Sequence, residues 1–302
     1  MSTEDLNPSA IEIDLLSVEE IIHIMNEENL AAVQAVNKAG DSISSAVKDA
    51  VITIKSGGRL VYVGAGTSGR LGVLDASEIP PTFGEAPGVI KAIMAGGDAA
   101  LTTSIEGAED NRPAGKHAVA DITSRDMLLG ISASGKTPFV LSALMEGKDQ
   151  GARCWLLTCN DIEYDFFDGV IKVIVGPEIV AGSTRLKAGT ATKMVLNMIS
   201  TTAMVKLGKV YKGYMIDVVP SNRKLKDRAV RIIMDLTGCS REEAGTLLQR
   251  SGGSAKTAVL MYLKGLDHDN AGRLLKESGG VVEEGVVVRG LRLIINNQLN
   301  NQ

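Results

Sequence analysis

Between Arg59 and Gly176 the chain carries a series of short apolar runs, "LVYVGA", "VIKAIMAG", "MLLGISAS", "RCWLLTC" and "VIKVIVG", several of them flanked by glycine. Helical patterns lie between most of them, around residues 69–79, 98–122, 137–150 and 186–206. A run that is apolar at every position, without alternation, is buried on both faces, which is the condition of a parallel strand. Parallel neighbours cannot be joined by a tight turn and need a crossover, usually a helix. The alternation therefore predicts an α/β fold with a doubly wound, mainly parallel sheet and right-handed crossovers.

The flanks differ in character. The first seventeen residues read as an extended arm, after which Ser17 and Glu20 have the spacing of a capping box. One long helical stretch follows, with Leu30, Val33, Val36, Ile43, Ala46, Val47, Ala50, Val51 and Ile54 at three- and four-residue steps, and Gly57 and Gly58 end it. From about Leu225 the chain turns to short amphipathic segments with caps at Ser240 and Asp267 and stops at glycine pairs, a small C-terminal helical subdomain. The expected division is 1–56 for the N-terminal arm and helices packing on the core, 57–222 for the core, and 223–302 for the helical subdomain.

Charge and composition narrow the partners. With 32 Lys and Arg against 36 Asp and Glu, a net charge of −4, and no basic block, nothing favours nucleic acid or a membrane surface. No apolar stretch approaches the ~20 residues of a spanning helix. Three cysteines, an odd number, and an acidic start, "MSTEDLNPSAIEIDLL", argue for a reducing cytoplasmic setting and against a signal peptide. His23, His117 and His268 are scattered, so no metal is expected.

Three strand-to-helix turns are candidate phosphate sites. In "GAGTSGRLG", Gly64, Gly66 and Gly69 have dinucleotide-fingerprint spacing, but the acidic residue expected about 20 positions on is missing, and Thr67 and Ser68 put hydroxyls inside the turn. Hydroxyls with helix N-terminal N–H groups suit a phosphate monoester. A tight turn with no ligand satisfies the same spacing. "GISASGKT", residues 130–137, fits the P-loop string, although "MLLGIS" reads as strand through Gly130 and no convincing acidic partner for magnesium follows. Without that template, Ser132, Ser134 and Thr137 repeat the chemistry of Thr67 and Ser68 one sheet position away. The third turn, residues 182–193, brings Ser183, Arg185, Lys187 and Lys193, either a balance for bound phosphate or a solvated basic helix face.

Reactive groups are sought nearby. Glu78 precedes Pro80 and Pro81, which are expected to stop its helix, and Glu106, Glu109 and Asp110 crowd the stretch after the second strand. Two carboxylates on one pocket can divide acid and base work. Residue types and spacing carry the reading to a phosphate-tagged small molecule with carboxylate chemistry.

Longer motifs go further. "GGRLVYVGAGTSGRLGVLDASEIPPTFG", "SIEGAEDNR", "GISASGKTPFV" and "VGPEIVAGSTRLKAGTATKMVLNMIS" closely resemble the N-acetylmuramic acid 6-phosphate etherases, a branch of the sugar isomerase (SIS) domain proteins, and the similarity runs almost the whole chain. The resemblance implies an SIS domain with a C-terminal helical, UBA-like subdomain, acting as a homodimer with sites near the subunit interface. It implies conversion of N-acetylmuramate 6-phosphate and water to N-acetylglucosamine 6-phosphate and D-lactate, in peptidoglycan recycling or amino-sugar catabolism, with no cofactor and no metal. By the same resemblance Glu109 is the base at C2 and Glu78 the acid for the departing lactate. Gly66, Thr67, Ser68, Ser132, Ser134 and Thr137 hold the phosphate, and Ser183 and Lys187 add a phosphate or interface contact. Lys136 stands where the family commonly has arginine, and Thr158 to Asp161 replaces a more usual "SCNP". Alternatives are a non-catalytic sugar-phosphate sensor, a P-loop nucleotide enzyme and an SIS isomerase.

Overall fold

The computed structural model describes residues 2–220, 222–280 and 282. They form two compact units, one holding the chain up to Ile79 together with Ala86–Ala203, the other Pro80–Glu85 together with the chain from Met204 onward.

In the first unit the arm is folded, with short 3-10 turns at Pro8–Ala10 and Ile13–Leu15 where an extended segment was expected. Polar anchors account for this. Thr3, fully buried, donates its N–H to Asn160 Oδ1 at 3.1 Å and accepts the Gly182 N–H at 3.0 Å, while Asn7 Nδ2 donates to the Pro177 carbonyl. Ser17 and Glu20 close the expected capping box at the start of α1 (Val18–Lys38). The single long helix of the sequence reading is in fact two, because the chain breaks at Ala39 before α2 (Gly40–Lys55). Glycine is among the poorest helix formers, and a one-residue break leaves the three- and four-residue periodicity intact, so the pattern conceals it.

The sheet consists of β1 (Leu60–Gly64), β2 (Ile90–Met94), β3 (Met127–Ile131), β4 (Arg153–Thr158) and β5 (Gly169–Lys172). Every pairing is parallel, in the order β2-β1-β3-β4-β5. The five apolar runs are thus the five strands. Val61, Val63, Leu128, Cys154 and Leu156 pack on one face against Phe139, Val140, Ala143 and Leu144 of α5 (Pro138–Asp149). The alternate residues Leu60, Tyr62, Met127, Leu129 and Ile131 are equally buried. On their side lies α3 (Gly66–Phe83), where a Cβ on Gly72 would meet Tyr62 Cβ at 3.1 Å. Burial of this kind on both faces contributes about 1.5–3 kcal/mol per large aliphatic side chain.

Two helical expectations need correction. Pro80 and Pro81 do not stop α3, which runs through both to Phe83. The prolines remove two N–H donors only a few residues from the end, and Gly84 closes the last turn by donating to the Pro80 carbonyl at 3.0 Å. The helix read over 98–122 is reduced to 3-10 turns at Asp98–Leu101 and Ala108–Asp110 and then α4 (Arg112–Ala118). Gly107, at φ +71°, holds a left-handed conformation that no continuous helix passes through. The last helix of the unit, α6 (Lys187–Lys206), continues into the second.

The second unit comprises a short antiparallel hairpin of β6 (Val210–Tyr211) and β7 (Tyr214–Met215), then α7 (Arg223–Thr237), α8 (Arg241–Arg250), α9 (Ala255–Lys264) and α10 (His268–Glu277). Asn222, Ser240, Ser254 and Asp267 cap the four helices by accepting a first-turn N–H. Ile216, Ile232, Ile233, Leu247, Val259 and Ala271 are among its core residues. The unit takes in the hairpin and begins at Met204, whereas the sequence reading drew its boundary at 222/223. The stretch 283–302 of the expected subdomain lies outside the described residues.

Candidate active site

The strand order sets the location. β1 has β2 on one side and β3 on the other, so the chain reverses its winding direction there, and the crevice beyond the carboxyl ends of such strands is where open α/β sheets bind ligands. Gly64, the last residue of β1, pairs with Ile131, the last of β3, so the turns that follow are neighbours.

The first turn is shaped by steric necessity. A Cβ on Gly64 would fall 2.6 Å from the Gly69 nitrogen, and one on Gly69 would fall 2.8 Å from the Gly64 oxygen. Gly66 sits at φ +53°. The fingerprint spacing thus has a cause without any dinucleotide, namely the close return of α3 onto the strand it leaves. Gly66, Thr67 and Ser68 form the helix's first turn, and the Gly69 N–H bonds the Ala65 carbonyl at 3.2 Å. Thr67 and Ser68 are half-buried.

In the second turn Ser132, 2% exposed, is the hub. Its Oγ is 2.7 Å from Thr137 Oγ1 and 3.3 Å from Ser134 Oγ, and it accepts the Thr137 N–H at 3.3 Å. Thr158 Oγ1 and Asn160 Nδ2 both donate to the Ala133 carbonyl, bracing the turn from the end of β4. Gly130 lies inside β3, where a Cβ would press to 2.6 Å from Leu144 Cδ1 and 2.7 Å from Val140 Cγ1. The first glycine of the P-loop string is therefore a strand residue that lets α5 approach. Lys136 is exposed.

The third turn meets the first, since a Cβ on Gly189 would stand 3.5 Å from Thr67 Cγ2. Ser183 is half-buried there. Lys187, 4% exposed, gives its ammonium to Glu28 of α1. Glu178, fully buried, accepts the N–H groups of Lys187 at 3.2 Å and Ala188 at 2.9 Å and so caps α6 from outside the helix. Burial raises its pKa against the pull of those bonds. Sequence reasoning missed Glu28 and Glu178, because partners so far apart in the chain leave no local pattern.

The carboxylates divide. A cavity of about 270 Å³ opens beside the first turn, lined by Gly66, Arg70, Met94, Ser104, Glu106 and Glu109 among others. Arg70 ties α3 to its wall, donating from Nε to the carbonyls of Ala100 and Leu101 at 3.1 Å. Glu109 thus shares a cavity with Gly66 of the first turn. Glu78 is exposed on α3, more than three turns beyond Gly66 and ~18 Å along the helix axis at 1.5 Å per residue. The chain does not bring its own Glu78 to this cavity. One turn before Glu78 lies an unforeseen network in which buried Asp75 accepts from Tyr62 Oη at 2.9 Å, Asn197 Nδ2 at 2.7 Å and Ser200 Oγ at 3.1 Å. It locks α3 to β1 and α6. Burial first, then the Asp75 charge, pushes the Tyr62 phenol well above its ordinary range.

Among the described residues no group of three or more His, Cys, Asp and Glu is placed to hold a metal ion, and no helix is long and apolar enough to cross a membrane. Residues 42–147 match the model of the glucokinase regulatory protein N-terminal SIS domain. Strand order, twin hydroxyl turns and this match define an α/β protein of the SIS class. A protein of Geobacillus thermodenitrificans named N-acetylmuramic acid 6-phosphate etherase is 48% identical over 267 residues, 86% of this chain and 90% of its own length. Proteins of the same name from Glaesserella parasuis and, as etherase 2, from Vibrio cholerae are each 48% identical over 85% of this chain, covering 86% and 85% of their own lengths. The chain belongs to the N-acetylmuramic acid 6-phosphate etherase family.

Proposed function

We infer that this chain is an N-acetylmuramic acid 6-phosphate etherase, a carbon–oxygen lyase that releases D-lactate and leaves N-acetylglucosamine 6-phosphate. The observation that carries the reading is 48% identity across 86% of the chain to a protein named for that reaction. The crevice has matching chemistry. The first-turn N–H groups of α3, with the hydroxyls of Thr67, Ser68, Ser132, Ser134 and Thr137, receive the dianionic 6-phosphate. No cofactor enters the scheme, and the lactate leaves by acid–base chemistry alone.

The substrate reacts in its open-chain form, in which the C1 aldehyde acidifies the C2 hydrogen. Glu109, as carboxylate, takes that proton. The C2=C3 double bond forms as the C3–O ether bond breaks, and Glu78, as carboxylic acid, protonates the departing lactate oxygen. Water then adds at C3, giving its proton to Glu78, while C2 recovers a proton from Glu109. Both carboxyls end as they began, and the sum is ether plus water giving two alcohols. Muramic acid so processed comes from peptidoglycan recycling or amino-sugar catabolism in the cytoplasm, a location supported by three free, buried thiols at Cys154, Cys159 and Cys239. Burial pushes the first two up to about 12, where no reactive thiolate forms.

The test is incubation of the purified protein with N-acetylmuramate 6-phosphate in ¹⁸O-water. The expected result is one D-lactate per sugar and ¹⁸O at C3 of the product. Sugar phosphate that binds, as seen by protection against thermal unfolding, yet releases no lactate would replace the enzyme with a sensor.

A further inference from the structure

The substrate of the etherase reading carries two anions, and the phosphate turns account for one of them. The other is the lactyl carboxylate, joined to C3 through the ether oxygen and a single carbon. Glu109 takes the proton from C2, and C3 is the next atom of the chain, so this carboxylate comes to rest in or beside the cavity that Glu109 lines. Two acids, Glu106 and Glu109, already line that cavity. A third carboxylate beside them is repelled unless a cation intervenes.

Among the described residues that line the cavity, Arg70 is the one cation. It is half-buried and lies one turn into α3 from Gly66. Its guanidinium is held from one side. Nε is shared between the carbonyls of Ala100 and Leu101 at 3.1 Å each, and Nη2 reaches the Thr103 carbonyl at 3.4 Å. Among the described residues Nη1 has no hydrogen-bond partner, and no carboxylate forms an ion pair with the group. Three uncharged carbonyls therefore orient the guanidinium without neutralising it, and both Nη1 hydrogens are left for a ligand. The planar fork of an arginine matches a carboxylate in a way that a lysine ammonium cannot copy.

We propose that Arg70 binds the lactyl carboxylate of N-acetylmuramate 6-phosphate and so distinguishes this substrate from hexosamine 6-phosphates that lack the lactyl group. The inference rests on the etherase reading for the identity of the carboxylate. It gives the two anions different receptors, uncharged N–H and hydroxyl groups at the turns for the phosphate and a guanidinium one helical turn further on for the carboxylate. It also bears on product release, because once the ether is cut the contact to Arg70 holds only lactate and no longer holds the sugar.

Calorimetry in the Glu109→Gln background, where turnover does not consume the ligand, tests this with three probes. They are N-acetylmuramate 6-phosphate, its amide with –CONH2 in place of the lactyl carboxylate, and N-acetylglucosamine 6-phosphate. Adding Arg70→Met should weaken binding of the first about 10–100-fold and leave that of the third within about twofold. With Arg70 present the acid should be preferred to the amide by the same factor, and in Arg70→Met that preference should vanish. If Arg70→Met does not fold, Arg70→Lys replaces it, and the preference for acid over amide should shrink without the fork. Equal losses for both sugar phosphates would make Arg70 a wall or phosphate residue and overturn the proposal. So would an amide that binds the Arg70 protein as tightly as the acid. A wild type that releases no lactate, while Arg70 still selects acid over amide, would remove the etherase reading and leave the carboxylate site standing.

Discussion

Glu109 and Glu78 are both solvent-exposed side chains, so their neutral isosteres should leave the fold alone. Glu109→Gln and Glu78→Gln are each expected to unfold within about 0.5 kcal/mol of wild type and to lose lactate release by roughly 10²–10⁴-fold, read from denaturant midpoints and a lactate assay on the same samples. Asp126 is the opposite case, a buried acid with no part in the chemistry. It accepts the Arg59 and Thr123 N–H groups and pairs with the Arg59 guanidinium at 2.8 Å. Burial alone would raise its pKa, but these bonds outweigh it and bring the carboxyl to about 2. Because the folded value lies below the unfolded one, the stabilisation is complete above about pH 4 and is lost as pH falls toward the folded pKa. Asp126→Asn should cost about 2–3 kcal/mol at pH 7, and the gap to wild type in denaturant midpoint should narrow between pH 4 and 2. A gap independent of pH would assign the cost to shape rather than charge. The placing of Thr67 and Ser68 at the start of α3 and the clustering of Ser132, Ser134 and Thr137 in one turn were legible from the sequence, because residue type and turn position stand together in two short strings. Lys187 was not, since a basic residue entering a helix looks the same whether it faces solvent or, as here, Glu28.

At the scale of elements, strand existence was legible and helix continuity was not. β1, β3 and β4 are short runs buried almost throughout, a pattern that solvent-facing structure does not produce, while the edge strands β2 and β5 are half-buried and carry Lys91 and Lys172 yet still read as short apolar runs. The breaks at Ala39 and Gly107 and the passage of α3 through Pro80 and Pro81 turn on one or two residues inside patterns that otherwise keep their period. The glycine strings show the same limit from the other side, because Gly64, Gly69 and Gly130 satisfy nucleotide-loop spacings while serving strand-to-helix contact. That contact can be tested. The methyl of Gly69→Ala would meet the Gly64 backbone oxygen at 2.8 Å and Met94 Cγ at 3.0 Å, and the backbone cannot yield without moving the start of α3. The variant should lose about 1–3 kcal/mol of stability and, because Thr67 and Ser68 ride on the same turn, should raise KM for the sugar phosphate. An unchanged KM in a destabilised protein would separate the packing from the phosphate site.

For the whole molecule, the proposed acid Glu78 lies away from the cavity lined by Glu109, and the homodimer expected from the family resemblance predicts that activity depends on concentration in a way that the fold does not. Leu74 lies on the surface of α3 beside Glu78, without touching the phosphate turns, so a charge there tests assembly alone. Leu74→Arg should leave thermal unfolding of the isolated chain within about 0.5 kcal/mol of expectation for a surface substitution, because no core contact is removed. Where α3 forms the subunit contact, it should shift the protein toward monomer in sedimentation, since desolvating an unpaired cation there costs free energy. The monomer retains Gly66 to Ser68 and Ser132 to Thr137, and so should still bind N-acetylglucosamine 6-phosphate in calorimetry while lactate release falls in proportion to the dimer lost. Raising the protein concentration should restore specific activity as dimers re-form. Full activity in a Leu74→Arg monomer would mean that one chain supplies the whole site, and the lactate oxygen would then need an acid other than Glu78.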